Sequence, residues 1–367
     1  MTERPTIHAE PRRSQNFVSL KKRLRGLCGS ALIVVAAAAV HAQSTGLEAM
    51  PVRGHIFLIG GAGSNIVVSA GTDGVFLVDS GAAANADKVI AAIKALQARL
   101  QMAIPAEPRA GAETRVATNL EPFYRTLAPP KPIRYIANTS AIADHVGGND
   151  KLALAGKTFT GGNVTGEIGG EGEKAAILSH ENVLARLGDA KMPAAGLPTD
   201  TYFGKTLKLA YFFNGEAIEL LSVPAAVTDG DSVVHFRGSD VIATGELFDF
   251  TRFPMIDIAK GGSIQGLLAG LNRMVEIAVP EFRSEGGTLF IPAHGRVGDI
   301  ADMTYYRDMV TIIRDRIQDQ MKKGRTLDQI KAAHVTEDWD GRLGQDKSWT
   351  SDMFVEAIYK GLANPKK

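Results

Sequence analysis

The feature that most constrains this chain is that its β-rich runs are joined in two different ways. Residues 55–59, 65–69 and 74–79 are β-rich and have only turns between them. Several later runs are separated by stretches with helical periodicity. Hairpins need tight turns, whereas a helix between strands makes a crossover. A chain that uses both must build sheets whose faces are covered by helices, which predicts a layered α/β sandwich with functional groups on loops at strand ends. The glycine cluster Gly60-Gly61-Ala62-Gly63-Ser64 invites a dinucleotide-binding reading. That motif requires a helix directly after the glycines. A second β run follows instead, so the cluster reads as a strand-to-strand turn.

Beyond Asp79-Ser80-Gly81, the apolar residues Val89, Ile93, Leu96 and Leu100 recur on one face of a 3.6-residue period and predict a helix. Six prolines between 105 and 132 break the pattern. This stretch reads as a surface insertion with a short helix near 122–126. A strand at 133–138 resumes the core and runs into the loop 139–149. A strand at 175–178 and a helical stretch at 180–187 follow. Antiparallel strands are expected at 217–223, 232–236 and 241–244, the last two joined by the turn signal Arg237-Gly238-Ser239-Asp240. A helix at 264–278 and a strand at 288–291 precede helices at 300–323, 327–333 and 351–362, the first of them ended by Gly324.

Residues 1–42 stand apart. Lys21, Lys22, Arg23 and Arg25 form a basic cluster, an apolar run covers 27–40, and Val40-His41-Ala42 precedes Gln43. This is the pattern of a secretory leader, and the run falls short of the ~20 residues of a membrane span. The competing reading is an uncleaved N-terminal anchor. Cleavage near Gln43 predicts a secreted or periplasmic protein with no membrane span. The leader holds seven basic and two acidic residues of the 41 and 40 in the chain, so the remainder carries 34 against 38, a net charge of −4. That balance argues against a nucleic-acid binder held by phosphate contacts. The single cysteine, Cys28, lies in the leader, so the exported chain has neither a disulfide nor a thiolate metal ligand.

From 47 to 296 the chain resembles the metallo-β-lactamase superfamily. The resemblance rests on an ordered set of segments: Asn65-Ile66 through Val78-Asp79-Ser80-Gly81, Asn138-Thr139 through Asp144-His145-Val146-Gly147-Gly148-Asn149, Ser179-His180-Glu181-Asn182-Val183, Thr228-Asp229-Gly230-Asp231, Gly245-Glu246, and Ile291-Pro292-Ala293-His294-Gly295. It implies an αββα sandwich over 43–296, interrupted by the insertion at 105–132, with a C-terminal helical extension over 297–367. It also implies a metal cleft at one sheet edge.

The family motif His-x-His-x-Asp-His reads here Ser140-Ala141-Ile142-Ala143-Asp144-His145, and the later histidine of the same metal is replaced by Val227. Neither Ile nor Val offers a lone pair, and a serine hydroxyl is a poor zinc ligand, so the first of the family's two metal sites is expected to be lost. The second keeps Asp144, His145 and His294, with Glu246 in place of the bridging carboxylate. One subclass of the family works with a single zinc in this half of the cleft, with a cysteine at the place of Glu246.

The resemblance therefore implies at most one zinc, held by Asp144, His145, His294 and Glu246. Asp144 and Glu246 are the candidate catalytic carboxylates, Glu246 as ligand or general base, and the substrate would be a small molecule such as a lactam, lactone or ester. The alternative is an inactive relative that binds an apolar ligand or serves as a scaffold, because Ser140, Ile142 and Val227 make the old cleft more apolar. His180 is expected at a helix start and His235 in a structural strand position, while His55 and His334 carry no signal. Ser140 with His145 and Asp144 lacks the strained elbow of a serine nucleophile.

Overall fold

The computed structural model describes residues 46–102, 131–158, 174–209, 212–279 and 286–363. The leader at 1–42, the short helix near 122–126 and nearly all of the insertion at 105–132 lie outside them.

The first sheet is built in sequence order. Strands β1 (Ala49–Arg53), β2 (Ile56–Ile59), β3 (Ile66–Gly71) and β4 (Gly74–Val78) pair antiparallel. The expected turn at the glycine cluster joins β2 to β3. Helix α1 (Ala86–Met102) then crosses over to β5 (Ile133–Ala137), parallel to β4. Two short helices, α2 (Ala143–Val146) and α3 (Asn149–Leu154), lead to β6 (Ala176–His180), and α4 (Glu181–Asp189) leads to β7 (Asp200–Tyr202), both parallel additions.

The second sheet has the order β12-β11-β10-β9-β8. Its strands are β8 (Thr206–Lys208), β9 (Ile218–Ser222), β10 (Ser232–Phe236), β11 (Val241–Gly245) and β12 (Leu289–Pro292). The pairs up to β11 are antiparallel, and β12 joins β11 parallel after the crossover helix α5 (Ile264–Ile277). The chain continues through α6 (Ile300–Lys322), α7 (Leu327–Ala332), α8 (Glu337–Leu343) and α9 (Ser351–Ala363).

Strand alternation sorts the side chains into layers. In β4, Val75 and Leu77 face α1 and α3, while Phe76 and Val78 face the second sheet. On the second sheet, Val234 and Phe236 meet the first sheet, and Val233 faces α5, α6 and α9. Both sheets are therefore covered on both faces, which is why β3, β4 and β11 read as continuous apolar runs. The order helix, sheet, sheet, helix is the expected αββα sandwich, and helices follow beyond residue 296 as expected. Of these, α6 and α9 pack on the second sheet beside α5. A capping box starts α6: Asp299 Oδ1 accepts from the Asp302 amide at 2.9 Å, and Asp302 Oδ2 accepts from the Asp299 amide at 3.2 Å.

Six of the described strands and α-helices carry no signal that the sequence reading could use; two of them are the short helices α2, which lies within the expected loop 139–149, and α3. Strands β7 and β8 have three residues each, too short for a period of two. Strand β1 contains Pro51, tolerated because β1 is a sheet edge. Helix α8 buries only Leu343 and so has no apolar periodicity. Strand β12 starts one residue later than expected, because Thr288 instead bonds the Asp240 side chain and the Val279 amide.

Candidate metal centre

Parallel strands end on the same side, and their loops converge there. Asp79 follows β4, Thr139 follows β5, Glu246 follows β11 and His294 follows β12. Asp144 and His145 lie in α2, whose backbone is fixed from two directions. The Asp144 carbonyl accepts from Ser64 Oγ at 2.8 Å, and the His145 carbonyl accepts from the Ser80 amide at 2.7 Å and Ser80 Oγ at 3.0 Å. A side chain at Gly148 would not fit there, since a Cβ would stand 2.4 Å from the Ser80 carbonyl oxygen.

The sequence-derived ligands Asp144, His145, Glu246 and His294 come together. One ligand atom from each lies within 4.8 Å of the others. His145 Nε2 is 2.9 Å and His294 Nε2 is 3.1 Å from Glu246 Oε1. Asp144 lies 3.3 Å from His294 Nε2 and 4.0 Å from His145 Nε2. A tetrahedral zinc with ligands at roughly 2.0–2.1 Å has ligand–ligand edges of about 3.4 Å. The spacing of the four groups brackets that value, and two imidazoles with two carboxylates are a suitable zinc donor set. Asp144 Oδ1 is buried and accepts no hydrogen bond. A buried polar atom aimed into a donor cluster without a partner is what a site for a cation leaves behind.

The supporting groups were not singled out from the sequence. Asp79 Oδ2 accepts from His145 Nδ1 at 2.8 Å and from Thr139 Oγ1 at 2.7 Å, while Asp79 Oδ1 accepts from the Thr139 amide at 2.8 Å. This fixes the Nδ1–H form of His145 and turns Nε2 toward the cluster. Asp79 holds this place with φ at 64°, a conformation that aspartate tolerates better than most residues. On the far side, Arg252 donates to Glu246 Oε2 at 2.9 Å and to Asp249 Oδ2 at 3.1 Å. Asp79 and Thr139 stand in the quoted family segments, but their role depends on strand ends meeting in space. Arg252 lies in none of those segments.

Burial and charge act on these groups together. Burial disfavours the imidazolium of His145, but Asp79 and Glu246 outweigh it and raise its pKa well above the usual value. Burial likewise opposes protonation of His294, but hydrogen bonds to Asp144 and Glu246 push its pKa up to about 9. Burial works against the Glu246 carboxylate, yet both histidines and Arg252 hold its pKa well below the ordinary range. Burial opposes the Asp144 carboxylate as well, and the hydrogen bond from His294 with the charge of His145 outweighs it and lowers the pKa. Burial raises Asp249.

The residues at the positions of the other family ligands sit as follows. Ser140 is buried, with its Oγ accepting from the Ile142 amide at 3.0 Å; Ile142 is half-buried and Val227 fully buried. Among the described residues, no second group of three or more His, Cys, Asp or Glu ligand atoms converges. His180 is the N-cap of α4, accepting from the Asn182 amide at 3.2 Å, which is the helix-start role expected of it. His235 lies in β10, 4.0 Å from Asp240.

No family model and no curated protein matches the sequence. Solved structures do. The stereoselective inverting sec-alkylsulfatase Pisa1 from Pseudomonas sp. is 15% identical with a TM-score of 0.54, covering 86% of this chain and 50% of that one. A double mutant of the same sulfatase gives 13% identity and a TM-score of 0.57, covering 87% and 51%. A metallo-β-lactamase from Pontibacter korlensis is 14% identical with a TM-score of 0.45, covering 72% and 99%. The chain spans about half the length of the alkylsulfatase chains it matches. With the layer order described above, the likeness to the two alkylsulfatase structures establishes that the chain has the metallo-β-lactamase fold.

Proposed function

We propose that the chain is an exported hydrolase of this fold that works with one zinc ion, held by Asp144, His145, His294 and Glu246, on a small lactam, lactone or ester. The observation that carries the reading is the convergence of these four side chains, with donor atoms 2.9–4.0 Å apart along the described contacts. A bound zinc would polarise a substrate carbonyl and lower the pKa of a bound water toward ~7. The chain's own groups have separable parts in this. Asp79 and Thr139 keep His145 in the form whose Nε2 can ligate. Glu246 has both oxygens engaged and is almost fully buried, so it suits a ligand better than a general base. Asp144 keeps its buried Oδ1 without a partner and so suits a ligand, and as the more exposed of the two carboxylates it is also the one a water can reach. The family's other site is taken to be lost, because Ser140, Ile142 and Val227 supply no ligand suited to zinc.

The test is elemental analysis of the purified protein, followed by turnover of a panel of lactams, lactones, carboxylic esters and alkyl sulfates. About one zinc per chain and activity removed by a chelator are expected. Two metals per chain would sink the one-metal reading.

A second reading, a non-catalytic binder of an apolar small molecule, is favoured by one observation. The two histidines and the carboxylates Asp79, Asp144 and Glu246 are charge and hydrogen-bond partners of one another, so the cluster has partners of its own. A protein isolated with no metal, and taking none up from added zinc, would favour it.

A further inference from the structure

The loop after β11 carries Glu246 and is held on its outer side by the C-terminal helices. Arg252 is at the centre of this arrangement. Its guanidinium bonds Glu246 Oε2 at 2.9 Å and Asp249 Oδ2 at 3.1 Å, and its third nitrogen lies 3.6 Å from Asp346 Oδ2, in the connection between α8 and α9. The side chain is only 15% exposed. Asp249 is itself fixed by the Thr251 amide and hydroxyl, and Asp346 by the Ser348 amide and hydroxyl. Two further contacts clamp the same segments: Trp349 Nε1 donates to the Pro254 carbonyl at 3.1 Å, and the Phe253 and Phe354 rings stack at 5.1 Å.

We propose that Arg252 is a positioning residue for the metal cluster, holding the Glu246 carboxylate in a one-oxygen binding pose and tying it, through Asp346, to the C-terminal helices. A carboxylate has two oxygens and free rotation about its last torsion. Arg252 takes Oε2 with one guanidinium nitrogen while its planar fork turns the other two toward Asp249 and Asp346, and Oε1 is left facing His145 and His294. Lysine, a point charge without the fork, replaces such a grip only in part. Partners one shell out from metal ligands commonly set metal affinity by about 10–100-fold. The Arg252 fork is reached by a residue about a hundred positions away, so the C-terminal segment is part of the centre's construction.

The inference rests on the one-zinc reading, and the experiment separates the two. Zinc affinity is measured by competition with a chromophoric chelator, and the visible spectrum is recorded after cobalt(II) is added to the metal-free protein. Wild type, Arg252→Met, Arg252→Lys and Asp346→Asn are compared, each checked for folding by circular dichroism. Arg252→Met is expected to weaken zinc by about 10–100-fold and to change the cobalt band intensity, which reports coordination. Arg252→Lys should recover part of the affinity, and Asp346→Asn should lose less than Arg252→Met.

An Arg252→Met protein that folds and binds zinc with wild-type affinity and an unchanged cobalt spectrum overturns the positioning role. Should Arg252→Met not fold, Asp346→Asn decides alone: unaltered affinity and spectrum in that variant overturn the tie to the C-terminal helices. A wild type that binds neither metal overturns the one-zinc reading. In that event Arg252 is judged by thermal unfolding of the metal-free protein, where Glu246→Gln and Arg252→Met must be non-additive for the link between them to stand.

Discussion

His294 is where a single side chain most clearly feels the whole cluster. Its pKa of about 9 comes from two carboxylates that a metal would otherwise engage. A proton and a metal therefore compete for the same nitrogen, and His145 adds a second competitor. Zinc uptake near pH 7 should release about two protons per ion, and affinity should rise by up to ~100-fold per pH unit until His294 is deprotonated. Calorimetry in buffers of different ionisation enthalpy measures the release; a value near zero would contradict it. The metal-free protein should respond in the opposite sense. A histidine with a raised folded pKa contributes stability that is complete below its unfolded value of ~6.5 and is lost as pH rises through about 9. Thermal melts of the chelated protein should therefore show a lower midpoint at pH 9 than at pH 7. His294→Ala should remove metal binding and flatten this loss. The four candidate ligands were legible in the sequence because family motifs carry them. Asp79 and Arg252 were not, because a carboxylate behind a histidine and a guanidinium behind a carboxylate have no fixed spacing along the chain.

Among the elements, the joints after parallel strands matter more than the strands. Gly245 ends β11 with φ at 54°, and a Cβ there would stand 2.7 Å from Thr139 Oγ1. Gly245→Ala should cost about 1–3 kcal/mol from backbone strain, with the clash in addition, and should weaken zinc by displacing the neighbouring Glu246. Gly188, in α4, has open space where a methyl group would stand, with no atom within 4 Å, so Gly188→Ala should be neutral or slightly stabilising. Equal effects of the two substitutions in thermal unfolding would refute the argument. At the start of α6, Asp299→Ala removes the capping box and should cost ~1 kcal/mol, read as a fall in the melting midpoint with zinc affinity unchanged. The long elements were readable because burial on one side imposes a period: α1, α5 and α6 each show it. The three-residue strands β7 and β8 and the polar α8 exist only because neighbours hold them, so nothing local announces them.

For the molecule as a whole, the sequence conveyed the layers because two-sided burial writes continuous apolar strands, and hairpins mixed with crossovers leave few ways to stack them. Export is a separate proposal, carried by the basic cluster at 21–25 and the apolar run at 27–40. Expressed in a bacterium with secretion machinery, the protein should appear outside the cytoplasm with its N-terminus at or near Gln43; recovery in the cytosol with Met1 intact would refute this. Among the described residues no helix is long and apolar enough to cross a membrane. The cluster also has a mechanical side. Asp144 and His145 belong to the loops of the first sheet, and Glu246 and His294 to those of the second. An ion shared among them would be a cross-link between the two halves of the sandwich. Its binding free energy would then resist their separation as well as hold the ion. Pulling the sheets apart would require breaking the coordination first, so the loaded chain should unzip under force as one body and the chelated chain in two stages.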